Sequence, residues 1–449
     1  MTYLLTGLGT LVCRTRDTGA LVHRPLTSTL DGVDVLDIGN LTNALQVGLS
    51  HFLRDDAEAL GLSLIDGPLA GWTIARTEDR RSIHLIRHGQ CLLASAETGL
   101  CQLAGSDVWP ATRYLPMDPA DLTILRGLVD GQWLLESAGE ATCPEAATLH
   151  PGFELRIGTR EIDLRWNLPF DRTAWPHRLT VSWDVWKIDR LFRYRPLVYF
   201  SAFGNELVMR QFALAIASLV TVGQYAGEIV VLTDKPPAEI AALFPAGVPP
   251  KLAILPTLAV DRVGYIAARY AIADWRDAWQ FQPLLYTDAD VLFDRPVAPM
   301  LYAIARTDRI CATPEPWHLA DSEFVGSHLL ADDGCHPPPD AKGFNGGILG
   351  IPNMQTHGGT IALIGRTVRN RLAVVGRHSV QFIDQPVANY AAYRTGTFDT
   401  EILSRYVRLD RESADPADRT GMVHFCWAVG AALRVEAMRS YLERLHAMG

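Results

Sequence analysis

The chain has 449 residues, 48% of them hydrophobic and 20% charged, so it has apolar material for two or three ordinary domains. A formal net charge of −9 argues against nucleic acid as a main partner, because phosphate binding needs clustered Lys and Arg. It leaves room for a local nucleotide site. Seven scattered cysteines with no CxxC pair point to reduced thiols rather than a disulfide frame or a zinc site, and a cytoplasmic location is expected.

The N-terminal segment lacks a basic region ahead of its apolar part, so no signal peptide is expected. Residues 1–165 read as short alternating strands broken by turns, an all-β domain. Three glycine-headed segments repeat weakly: "GTLVCRTRDTGAL" from Gly9, "GQCLLASAETGLC" from Gly89 and "GQWLLESAGEATC" from Gly131. Each runs from Gly through a short strand and small or polar residues to a Gly turn. The pattern resembles a fascin-like β-trefoil, with irregular repeated hairpins as the alternative. The first spacing is about twice the second, and the helical-looking stretch 41–62 would supply the insertion. Such a domain would bind a glycan or a protein. Residues 166–194, with four tryptophans in "RWNLPFDRTAWPHRLTVSWDVWKIDRLFRYRP", read as a connector or as a plain strand–loop–helix piece.

From residue 195 onwards apolar runs alternate with helical patterns. "RPLVYFSAF" (195–203), "GEIVVLTD" (227–234), "KLAILPT" (251–257) and "PLLYTDADVLF" (283–293) read as buried strands. Stretches 205–225, 236–245 and 268–281 read as helices. In the first of these Val208, Phe212, Ile216 and Leu219 recur near helical spacing. Strands alternating with helices predict a mainly parallel sheet covered on both faces, with ligands beyond the carboxyl ends of its strands. The apolar stretch at 212–223 is too short to span a bilayer, so no transmembrane segment is expected and peripheral membrane contact stays open.

Asp288 and Asp290 stand at that carboxyl edge. Residues i and i+2 of an extended chain point to one side, so two carboxylates there can share a hard cation that offsets their repulsion. Asp-x-Asp alone is common, and by itself it reads as a strand-end turn with solvated charges. Its context is more specific. The order "VYFSAFGNELVMRQFALAIASL", "ARYAIADW", "LLYTDADVLF", "GFNGGILGI" (343–351), "FIDQPVANY" (382–390) and "MVHFCWAVG" (422–430) resembles the GT-A glycosyltransferases, most closely the glycogenin-like retaining family.

That resemblance covers about residues 195–435 and implies a domain at 195–449 that moves a sugar from a nucleotide-sugar. A UDP donor, retention at the anomeric carbon and a glycan, lipid or protein hydroxyl as acceptor are implied with it. Asp288, Asp290 and His424 would hold Mn²⁺ or Mg²⁺. Arg269 would meet the diphosphate. Ser201, Ala202, Asn205 and Ala289 would line the base and ribose pocket. Asn345, Asp384 and Gln385 would hold the sugar, and Gly346 and Gly347 would let the backbone approach it. Departures are visible too: Gly346 stands where the family has Ser, and the family's lysine after the histidine is missing, with Arg434 or Lys342 as substitutes.

The residues also have plainer readings: Asn345 as a turn tie, Asp384 as a helix cap and His424 as a core histidine. His328, Asp332, Asp333 and His336 are too irregularly spaced for a metal site and read as a solvated loop. A nucleotidyltransferase is disfavoured because no Gly-rich basic loop follows the first strand. A transferase fold that binds carbohydrate or nucleotide-sugar without turnover is the alternative function.

Overall fold

The computed structural model describes residues 3–18, 20–26, 31–37, 62–63, 73–77, 81–88, 90–105, 110–137, 140–141, 143–184, 187–245, 251–257, 259, 261–375, 384–428 and 430–448. The chain divides into two compact units, 1–193 and 194–449.

Among the described residues, the first unit contains a ten-stranded sheet and a seven-stranded sheet whose ladders all run antiparallel. Gly9 directly precedes the strand Thr10–Thr15 and Gly131 the strand Gln132–Ser137. Gly89 and nearly all of the stretch 41–62 lie outside the described residues.

The all-β expectation needs correction: besides a single helical turn, Leu164–Asn167, the first unit carries the helix Pro119–Val129. Its signals are ordinary: Asp118 accepts from the Ala120 and Asp121 amides, Pro119 opens the first turn, and Leu122, Leu125 and Leu128 bury one face. The segment read as a connector carries two strands, Arg178–Asp184 and Lys187–Arg193. The second of these pairs with Gln132–Ser137, so residues up to 193 belong to the first unit's sheet.

The second unit begins with β1 (Leu197–Ala202), α1 (Glu206–Thr221), β2 (Glu228–Thr233), α2 (Pro237–Ala241) and β3 (Lys251–Pro256). After α3 (Arg262–Ala267), the stretch expected as one helix is two 3₁₀ segments, Ala268–Asp274 and Arg276–Gln280. β4 (Leu284–Thr287) and β5 (Val291–Phe293) flank the two aspartates. Then come α4 (Ala298–Arg306), β6 (Ile310–His318), α5 (Ser327–Asp332), β7 (Lys342–Ile351), α6 (Met354–Val375) and α7 (Gln385–Thr395). β8 (Phe398–Asp399), α8 (Glu401–Ser404), β9 (Val407–Leu409), β10 (Met422–His424) and α9 (Ala431–Ala447) complete it.

The main sheet has the order β3-β2-β1-β4-β7-β6-β8. Its first four strands are parallel, β7 runs antiparallel to β4 and β6, and β8 is parallel to β6. Alternate residues of β1 enter different cores: Leu197 and Tyr199 on one face, Val198 and Phe200 on the other. Burial on both faces explains the unbroken apolar runs. A second, three-stranded sheet, β5-β10-β9, branches off directly after the aspartates.

This small sheet is tied to α9 through Asp294. Its carboxylate accepts from Arg408 at 3.0 Å, Tyr441 at 2.7 Å and the Gly421 amide at 2.8 Å. Arg408 and Asp294 are both buried. Asp294→Ala leaves the Arg408 cation without its carboxylate, so a loss of about 3–5 kcal/mol is expected. Urea unfolding followed by circular dichroism measures it; a loss under about 1 kcal/mol, the scale of an exposed pair, contradicts this role.

Candidate functional site

The two aspartates sit where one sheet hands over to the other. The Asp288 amide donates to Gly347 O of β7 at 2.8 Å, extending the β4–β7 ladder by one residue. Two residues later the Phe425 amide donates to Asp290 O at 2.9 Å, and Val291 pairs with His424. The strand ends thus bring Gly347 and His424 to Asp288 and Asp290. One ligand atom from each of Asp288, Asp290 and His424 lies within 4.8 Å of the others.

This cluster faces a cavity of about 400 Å³. Ser201, Ala289, Arg269, Asn345, Gly347, Asp384 and Gln385 also line it, joined by Phe203, Tyr265, Phe324 and Arg434. Phe203 and Tyr265 stack with ring centroids 5.1 Å apart. Arg269 is buried and central: 3.2 Å from Asp288, 3.6 Å from Asp384, donating to Gly346 O and lying over the Tyr286 ring. Tyr286 donates to Asp288 Oδ1, and Tyr270 donates to Asp384 Oδ2 at 2.8 Å. On the other side, Asp290 meets His424 Nε2 at 3.2 Å and Arg434 Nη1 at 2.6 Å.

These contacts separate the two aspartates electrostatically. Burial raises the Asp288 carboxyl, Arg269 opposes it and Asp290 adds to it, leaving the group above the usual carboxylate range. Burial pushes Asp290 upwards as well, but His424 and Arg434 outweigh it and hold the group below that range. Burial lowers His424, yet Cys426 and Asp290 carry it well above an ordinary imidazole. Asp290 and His424 are both buried and in direct contact.

The donor set, two carboxylates and an imidazole, is one that a divalent cation can use. His424 Nδ1 is buried without a hydrogen bond. Gly347 keeps the floor of the cluster open. A Cβ there would sit 2.4 Å from His424 Cε1 and 2.7 Å from Asp288 Oδ2.

Two of the residues expected in the pocket serve elsewhere. Ala202 is fully buried in the core that packs against α1. Asn205 caps α1, its side chain accepting from the Leu207 and Val208 amides at 3.0 and 3.2 Å. Gly346 acts through its backbone, accepting from Arg269 and donating to Gln385 Oε1 at 3.4 Å. Asp384 stands at the N-cap of α7 but makes no side-chain cap bond; its carboxylate serves Tyr270 and Arg269. Asn345 accepts from the Gly347 amide at 2.8 Å, so it ties its own turn while facing the cavity. The polar loop residues disperse: His328 meets Arg371, and Asp333 meets Tyr390 and Arg394. Lys342 opens β7 with an exposed side chain.

Glu315, Tyr270 and Tyr286 were not anticipated. Tyr286 had a readable signal, standing two residues before Asp288 on the same side of a strand. Glu315 had one too, a carboxylate inside the apolar run of β6. It accepts from Asn345 Nδ2 at 2.8 Å, Arg411 lies 3.7 Å away, and Oε2 makes no hydrogen bond. Gln385 Nε2 is likewise a buried donor with no acceptor.

No family model and no curated protein matches this chain. Among solved structures it is similar to the apo form of the bifunctional glycosyltransferase WbbM, at 14% identity and a TM-score of 0.39. That match spans 56% of this chain and about half, 51%, of WbbM. No helix among the described residues is long and apolar enough to cross a membrane.

Two measurements check these assignments. Asn205→Ala removes a cap and costs about 1 kcal/mol of stability while leaving ligand affinity at the cavity unchanged; a fall in affinity with no change in melting would return Asn205 to the pocket. Glu315 gives a pH test. Burial raises its pKa, and Asn345, Arg411 and His424 only partly offset this, so ionisation is harder folded than unfolded. The charged wild-type side chain thus lowers stability above its folded pKa, and the cost vanishes below the ordinary value of 4.5. Glu315→Gln should raise the melting temperature at pH 7 to 8, and the gain should fade as the pH falls below 4.5; a gain independent of pH contradicts the burial argument.

Proposed function

We propose that this chain is a metal-dependent glycosyltransferase whose second unit has the GT-A fold. It transfers a sugar from a nucleotide-sugar, UDP-linked and with retention, to a hydroxyl of a glycan, lipid or protein. The observation that carries this reading is the Asp288–Asp290–His424 cluster at the wall of a cavity that also presents a buried guanidinium, Arg269. The support is the site's own geometry.

In this reading Asp288, Asp290 and His424 hold Mn²⁺ or Mg²⁺, which when bound supplies Lewis-acid stabilisation of the departing diphosphate. The rest falls to the chain. Phe203 and Tyr265 offer an aromatic wall to the base, beside Ser201 and Ala289. Arg269 gives the phosphate end a planar cation whose charge Asp288 and Asp384 hold in place. Asn345, Asp384 and Gln385 present amide and carboxylate groups to the sugar hydroxyls. Gln385 Nε2 is an unspent donor, and Glu315 braces Asn345 from behind. Buried polar atoms without partners are costly in the bare protein and suit a ligand that satisfies them.

For the first unit we propose a β-trefoil-like binding module, supported by the antiparallel strands that follow Gly9 and Gly131.

Thermal shifts with UDP, GDP and CDP compounds, each with and without Mn²⁺, test the donor site. A ligand at 100 times its Kd adds about 2.7 kcal/mol of stability. A Mn²⁺-dependent shift with a UDP-sugar is expected, and silence across the panel removes the donor-site reading. Asp288→Asn and Asp290→Asn should each lower Mn²⁺-dependent donor hydrolysis at least about 100-fold, the scale of losing one electrostatic stabiliser. Hydrolysis surviving both changes would dismiss the metal assignment. A ligand shift without any turnover would favour a binding protein.

A further inference from the structure

Asn389 is 1% exposed in the second turn of α7, and it lines no part of the cavity. A buried asparagine inside a helix competes with the helix's own backbone, so its partners say why it is there. Its Oδ1 accepts from the Phe344 amide at 2.7 Å, and its Nδ2 donates to Phe344 O and to Gln385 O, each at 2.9 Å. The β4–β7 ladder ends at Thr287 and Ile348, with Asp288 N to Gly347 O one step further. Beyond it, the Asn389 amide satisfies both backbone groups of Phe344, as a further strand residue would. Gly343 leaves room for this: a Cβ there would come within 3.0 Å of Asn389 Oδ1 and 2.4 Å of Val325 Cβ. The clamp therefore ties the first residue of α7, Gln385, to the stretch of β7 that carries Asn345 and Gly346.

We propose that Asn389 is a positioning residue for the donor sugar: it fixes the spacing between Gln385 and Asn345 and so holds Gln385 Nε2 towards the sugar hydroxyls. This rests on the glycosyltransferase reading above and divides its site in two. The nucleotide and cation end is carried by β1, β10 and the segment after β4, with Ser201, Asp288, Asp290 and His424, and Asn389 bonds to none of these. The sugar end lies where α7 meets β7. There the Gly346 amide reaches Gln385 Oε1 only at 3.4 Å, a long bond that holds register poorly. Asn389 bonds both sides at 2.7 to 2.9 Å. Gln385 Nε2 is a buried donor with no acceptor, which a sugar hydroxyl would satisfy, and a slip of α7 along β7 withdraws it. Loss of the clamp should therefore weaken the hold on the sugar while the hold on the nucleotide stays.

The test uses the full chain and reads binding rather than turnover. Calorimetry with Mn²⁺ present gives the Kd of UDP and of UDP-glucose, UDP-galactose and UDP-N-acetylglucosamine. Asn389→Leu keeps the side-chain volume and removes its bonds to Phe344 and Gln385. It should weaken whichever UDP-sugar the wild type binds by about fivefold or more, the scale of one lost hydrogen bond, and leave UDP within about twofold. Ala392→Gly, nearly one turn further along α7, controls for a loosened helix: it should lower the melting temperature and leave the ratio of UDP-sugar to UDP Kd unchanged. Should the leucine variant fail to melt cooperatively, Asn389→Ser is read in its place. A ratio unchanged in the Asn389 variant, or shifted as much by Ala392→Gly, overturns the proposal. A wild type that binds UDP but none of the three sugars overturns it too and leaves the nucleotide end standing. If the wild type binds no UDP compound at all, the glycosyltransferase reading itself fails.

Discussion

Two backbone hydrogen bonds, Asp288 N to Gly347 O and Phe425 N to Asp290 O, hold a three-residue segment between two sheets. Everything at the site depends on that placement. The first bond fixes Asp288 against β7, which delivers Asn345, Gly346 and Gly347. The second fixes Asp290 against β10, which delivers His424. Side chains alone would leave two carboxylates free to swing apart. Backbone pairing on both sides denies them that freedom, and Gly347 leaves the space between them and His424 unfilled.

The charges around this segment are balanced in pairs rather than left to solvent. Arg269 lies between Asp288 and Asp384, while His424 and Arg434 share Asp290. Arg411 approaches the free end of Glu315. Such pairs add little net stability, because desolvating two ions roughly cancels their attraction, yet removing one partner alone is expensive. The arrangement is better understood as pre-set polarity: a cavity whose cations and anions hold one another in place. Tyr286 and Tyr270 complete it by donating to the two carboxylates nearest Arg269.

Asp294, Arg408 and Tyr441 play a different part. They are buried in the small sheet and its helix, and they line no part of the cavity. Their work is to seat β5, β9 and α9 together, and β10 lies between the two strands. In this unit one group of buried charges holds the frame and another faces the cavity. A carboxylate in an apolar run signals burial with a partner, and only its neighbours decide which of these tasks it has.

By itself the sequence determined the strands of the second unit's parallel half. Runs such as "LVYFSA" and "EIVVLT" bury both faces, and nothing but a sheet covered on two sides accommodates that pattern. It also singled out Asp288 and Asp290 as carboxylates ending an apolar run, whereas Asn345, Asp384, Gln385 and His424 stood out only through the motif order that resembles the GT-A glycosyltransferases; all six line one cavity. It misassigned Asn205 and Ala202, since a strand-end asparagine looks alike whether it lines a pocket or caps the next helix. It could not separate the plain 3₁₀ turns at 268–280 from a helix, whose apolar spacing is similar. It also overlooked the helix at 119–129, although Asp118, Pro119 and the leucine spacing signal it locally. Only the tertiary structure decided that Glu315 braces Asn345 and that Arg434 spends its charge on Asp290. Those contacts span 30 and 144 residues, and a pairing across such distances is set by strand order and register, which no local pattern encodes.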